Sequence, residues 1–89
     1  MKSILQDAEE CFFCHTTQGL ETHHAIHGIA NRKIADREGL TVNLCHSCHM
    51  KVHDKDREMD LLLIQYAQRR FEETRSREEW RELFCKSYL

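Results

Sequence analysis

The chain has no proline, only three glycines, and no uninterrupted apolar run long enough to cross a bilayer. The missing run excludes a helical membrane span, and Met1 to Glu10 lacks the apolar stretch that a secretory signal needs. A cytoplasmic protein is expected, in a reducing compartment where paired cysteines serve metals rather than disulfides. Excess positive charge is missing too. Thirteen Lys and Arg against fifteen Asp and Glu leave a formal charge of −2, which argues against an indiscriminate nucleic-acid coat, although the location of charge matters more than its sum. No repeat or low-complexity segment divides the sequence. Its 89 residues correspond to one domain, near the lower end of what an apolar core stabilises alone.

Sulfur and imidazole, by contrast, are plentiful, and they concentrate in Thr41 to His53. Cys45 and Cys48 are two residues apart, so both thiolates of a tight turn can point at one ion, and Cys11-Phe12-Phe13-Cys14 repeats the arrangement upstream. Together Cys11, Cys14, Cys45 and Cys48 make a closed, tetrahedral, structural Zn2+ site. Cys85 lies alone in a helical tail and reads as a core or surface thiol. His49 and His53 are four residues apart, so on a helix starting at the second cysteine pair their rings share one face and can share a second ion. A local Cys45-Cys48-His49-His53 zinc finger is the competing arrangement, but it strands Cys11 and Cys14.

The remaining segments supply the scaffold. Met1 to Glu10 reads as a peripheral leader. Leu20 to Ile26 alternates as a strand, with His24 on one face and His23 on the other, which favours one as a metal ligand and the other as a base. Ala30 to Glu38 forms a short helix closed by Gly39, and Leu40 to Leu44 is a second strand feeding the Cys45 turn. Arg57 to Glu73 is amphipathic through Met59, Leu62, Leu63, Tyr66, Ala67 and Phe71. Ser76 and Glu79 form a capping box for a last helix bearing Trp80, Leu83 and Phe84. His15, His27 and His46 read as surface residues or as supports behind the ligands. The expected fold is α+β: a leader (1–10), a zinc-stapled strand-strand-helix core (11–54) and a helical tail (56–89).

The order CxxC, a His-His pair on a strand, then CxxCH and a further His at helical spacing resembles the HNH (His-Asn-His) endonucleases with their ββα-metal core. His23-His24, Gly28, Asn31-Arg32-Lys33, the Gly39 to Val42 run before Cys45 and the tail Phe71 to Trp80 are similar to small phage-type HNH nucleases. That group is similar in turn to the recombination-enhancing, RecA-dependent nucleases. The resemblance covers Cys11 to Leu89. It departs from the family at one point: Leu40 stands where the middle Asn usually sits, leaving Asn43 and Asn31 as candidates for its bracing role.

The resemblance implies a metal-dependent DNA endonuclease or nickase. His24 would be the general base, and His23, His49 and His53 would hold a catalytic divalent ion, with Arg32 and Lys33 gripping phosphate. Imidazole ligands suit Mn2+, Ni2+, Co2+ or Zn2+ better than Mg2+. DNA, a recombinase or other DNA-processing protein, and a second copy of the chain are the implied partners. Two other functional classes compete. One is a non-catalytic zinc module binding nucleic acid or protein. The other is a two-haem c-type cytochrome, because Cys11 to His15 and Cys45 to His49 both satisfy CxxCH; haem attachment follows export, and no export signal is present.

Overall fold

A computed structural model describes residues 3–54 and 56–89. The elements run β1 (Leu20–His24), α1 (Ile29–Glu38), β2 (Thr41–Cys45), α2 (His46–Asp54), α3 (Arg57–Glu72) and α4 (Arg77–Phe84), a small α+β arrangement with a two-stranded antiparallel sheet. Leu20 pairs with Cys45 and His24 with Thr41, so one end of the hairpin leads to the cysteines and the other to the paired histidines.

The boundaries follow from local chemistry. Gly28 has φ 102° and ψ 148°, a region closed to residues with a Cβ, and the turn it makes lets α1 leave β1 at once. Gly39 closes α1 in the left-handed conformation and returns the chain to β2. Both sequence expectations for α4 hold: Ser76 accepts from the Glu79 N–H, and the Glu79 carboxylate reaches back to the Ser76 N–H. Cys85 ends α4 at φ 70°, where an L side chain crowds its own carbonyl, and the residue is exposed. Cys85→Gly is therefore expected to raise stability by about 0.5–1 kcal/mol, readable as a higher urea midpoint with an unchanged slope.

The core lies between the sheet and the helices. In β2, Val42 and Leu44 are buried while Thr41, Asn43 and Cys45 are only partly so, the alternation of a strand with one packed face. Trp80 is fully buried against Phe71, Phe84 and Tyr88, with ring centroids 5.4, 4.5 and 6.5 Å away, and its indole N–H donates to the Lys86 carbonyl. The buried face of α3 is Leu63, Ile64, Ala67, Gln68 and Phe71. Leu62, expected inside, is half exposed; Ile64 takes its place because the stripe sits slightly further round the helix than the leucine spacing suggests.

The leader departs most from expectation. Leu5 is buried, the Ile4 N–H donates to the Gly39 carbonyl, and Ser3 Oγ donates to the Thr41 carbonyl. The Gln6 side chain accepts from the Asn43 N–H at 2.8 Å. The segment thus covers the free edge of β2, satisfying backbone groups that a two-stranded sheet leaves open. No helix among the described residues is long and apolar enough to cross a membrane.

Candidate metal centres and cleft

The first centre is built by two turns. Sγ atoms of Cys11, Cys14, Cys45 and Cys48 all lie within 4.8 Å of one another, and Cys14 Sγ is 3.6 Å from Cys45 Sγ. A tetrahedron with Zn–S near 2.3 Å has sulfurs roughly 3.8 Å apart, so the four cysteines can hold one structural metal such as zinc. In each turn the second cysteine's N–H is directed at the first cysteine's sulfur at 3.5 Å. Burial raises the Cys11 thiol, but N–H groups of Cys14, Cys45 and Phe13 outweigh it and lower the pKa to about 6. Burial and the adjoining sulfurs push Cys48 up to about 12. One sulfur readily sheds its proton while a neighbour holds on, the conflict a bound cation removes. Sulfurs from both CxxCH motifs converge on a single point, which leaves no room for a porphyrin bonded to each pair.

The second group forms at the other end of α2. Donor atoms of His23, His49 and His53 lie within 4.8 Å of one another. Ring centroids are 5.1 Å apart for His23 and His49, 5.7 Å for His23 and His53, and 4.8 Å for His49 and His53. These two helical histidines therefore join β1, not the cysteines, and the local zinc-finger arrangement is not formed. His23 is 2 % exposed, and its Nε2 is buried without a hydrogen-bond partner, a costly state for a polar nitrogen unless a cation accepts its lone pair. His49 Nδ1 lies 2.7 Å from Glu21 Oε1, the carboxylate–histidine contact that fixes a ligand's tautomer and leaves Nε2 free. His49 and His46 together hold the Glu21 carboxyl below the usual carboxylate range.

Burial, reinforced by the surrounding imidazoles of His49, His27, His53 and His24, lowers the His23 pKa to about 3. The folded value is below the unfolded value of about 6.5, so between these the unfolded chain binds more protons. His23 thus contributes stability that is fully present above about pH 6.5 and is lost as pH falls toward 3. Proton NMR of the zinc-loaded protein should find His23 still neutral at about pH 5; a midpoint near 6.5 would contradict its burial.

The histidine group adjoins a cleft of about 1080 Å³, lined by His23, His24, His27, Arg32, His49 and His53 among others. His24 is the last residue of β1, so although its ring leaves the opposite strand face from His23, it turns to the same opening. Its Nε2 lies 2.7 Å from Asp36 Oδ1 of α1. Arg32 sits one turn before Asp36 on α1, and Lys33 is beside it, close to His24. Asp54, Asp56, Arg57, Glu58 and Asp60, from the end of α2 and the start of α3, also line the cleft.

The two candidate asparagines separate. Asn43 does not reach the cleft: it lies in β2 opposite Thr22, and its side-chain N–H is directed to the Ala8 carbonyl. Asn43 stands midway along β2, and its side chain turns to the leader rather than to the cleft. Asn31 instead donates to the His27 carbonyl at 2.7 Å, bracing the loop that leaves β1. Three further residues escaped the sequence reading. Glu21 shares a strand face with His23 and was recoverable from alternation alone. Asp36 and Asp60 are 12 and 33 residues from the imidazoles they meet, beyond any local pattern. His27, read as a surface or supporting residue, stacks against both His23 and His53. No family model, no curated protein and no solved structure matches this chain.

Proposed function

We propose that this protein is an HNH-type, metal-dependent DNA endonuclease or nickase with a zinc-stapled ββα-metal core. The observation that supports it is the convergence of His23, His49 and His53 beside a separate imidazole, His24, on one cleft. A divalent ion held by the three histidines would supply positive charge at the leaving 3′ oxygen of a phosphodiester. His24 takes the proton of the attacking water. Its Nε2–H donates to Asp36, which leaves the Nδ1 lone pair as the basic site and fixes the ring's orientation.

The charges around the cleft orient the substrate. Along Asp54 to Asp60 the carboxylates of Asp54, Asp56, Glu58 and Asp60 outnumber Arg57, the one cation lining the cleft there among the described residues, and repel a phosphate backbone, whereas Arg32 and Lys33 on α1 attract it, so the nucleic acid enters along α1. With few cationic groups lining the cleft among the described residues, strand or structure selectivity is favoured over base readout. A larger DNA-processing protein, a recombinase among them, or a second copy would supply targeting.

Incubating zinc-loaded protein with supercoiled plasmid across Mn2+, Ni2+, Co2+, Mg2+ and Zn2+ tests this reading. Nicking with at least one ion, lost on chelation, is the expected result. No cleavage with any ion would favour the non-catalytic zinc module. Asp36→Asn is expected to lower the nicking rate about tenfold while leaving Mn2+ affinity unchanged, because the carboxylate orients the base without touching the ion's ligands. Asp36→Glu should recover part of that loss.

A further inference from the structure

We propose that Ile29 is a wedge: while Arg32 and Lys33 grip a phosphate, its side chain enters between neighbouring bases of a DNA duplex, so that the preferred substrate is a duplex weakened at one base step. This deepens, and rests on, the reading of the cleft as the site of a DNA endonuclease.

Ile29 is 81 % exposed, well above the next large apolar side chain among the described residues, Leu62 at 50 %. A lone exposed aliphatic is ordinary on a protein surface, and what singles this one out is its place. With His24 and Arg32 it lines both the cleft and an adjoining hollow of about 220 Å³ that Lys33 and Asp36 complete. Ile29, Arg32, Lys33 and Asp36 follow one another along one face of α1: an apolar tip, two cations, then the carboxylate that holds His24. Ile29 stands about 4.5–6 Å along the helix axis from Arg32 and Lys33, between one and two base-pair steps of about 3.4 Å. The corner that carries it is braced: the Arg32 N–H donates to the Gly28 carbonyl at 2.8 Å, and Asn31 donates to the His27 carbonyl at 2.7 Å. Little ordering is therefore left to be done on binding. No Phe, Tyr or Trp lines the cleft among the described residues, so it lacks the stacking platform that holds single strands, whereas an aliphatic wedge suits the opening of a duplex step. Insertion takes the side chain out of water at the expense of unstacking two bases, an expense that a mismatch has already lowered.

Two short DNA duplexes carrying 2-aminopurine, a base whose fluorescence rises when it is unstacked, test the proposal without any cleavage assay. One is fully paired and the other has a mismatch beside the probe; the protein carries one zinc per chain and no further divalent ion is added, so that no strand is cut. The parent should raise the probe's fluorescence and bind the mismatched duplex about tenfold tighter than the paired one. Ile29→Ala should abolish the rise and bring the two affinities together, and Ile29→Leu should restore both effects. Arg32→Ala, by contrast, should weaken binding to the two duplexes alike, as loss of a phosphate contact does. A parent-like fluorescence rise and mismatch preference in Ile29→Ala would overturn the wedge, as would a parent that binds both duplexes equally with no rise; Mn2+-dependent plasmid nicking would then leave the endonuclease reading standing. A parent that binds neither duplex overturns the wedge too, and absence of nicking in the same preparation would remove the endonuclease reading with it.

Discussion

Cys45→Ser is expected to give a protein with no cooperative thermal transition, no bound zinc and little helical circular dichroism. Structural zinc sites in small domains contribute about 10–16 kcal/mol of apparent binding energy, while net folding stability is only about 5–15 kcal/mol. Loss of one of four thiolates therefore removes a term as large as the whole margin. Cys45 is also the last residue of β2 and directly precedes α2, so its sulfur anchors the joint between sheet and helix. Cys85→Ser is the control: that thiol is exposed and outside the tetrad, and its removal should leave zinc content unchanged. A Cys45→Ser protein that melts like the parent and retains its zinc would refute the four-thiolate centre.

The second large effect is expected at the base. His24→Ala should slow plasmid nicking by about 10²- to 10⁴-fold, the usual contribution of a positioned general base, with zinc content and melting temperature intact. Stability should survive because the ring lies at the rim of the cleft and its one side-chain partner, Asp36, is exposed and can be solvated instead. Residual nicking within about tenfold of the parent would place the base elsewhere. The contrast with His23→Ala is informative: that residue is buried among three other imidazoles, so its truncation should cost stability and metal affinity as well as rate.

What could be read from the sequence was what depends on short spacing. Two CxxC turns, the four-residue step from His49 to His53, the Gly39 cap and the Ser76–Glu79 box are all set within one or two turns of chain, and each appears as expected. The grouping of these pieces was legible in part, because a metal site demands four donors and the cysteines came in two pairs. What escaped depended on packing between distant segments. The leader's burial of Leu5 and its bonds to β2 follow from an open strand edge that no local pattern announces. Asn43 looked eligible by its place shortly before Cys45, but its side chain is directed to the leader at Ala8. His27 carried no periodic signal at all, because it sits in the loop between β1 and α1, where orientation is set by Gly28 and by the Asn31 brace.

The hairpin pairing of Leu20 with Cys45 and His24 with Thr41 has a consequence for how such a molecule can vary. The strands act as a ruler graduated in single residues of about 3.4 Å, with inward and outward marks alternating. Deleting one residue between Thr41 and Cys45 would reverse the faces of everything beyond it, and deleting two would restore the faces but drag sulfur toward imidazole by nearly 7 Å. The separation of the two centres therefore cannot be tuned gradually along the strands. Length changes are better tolerated outside the strands, as in the turn from His15 to Gly19, than within them.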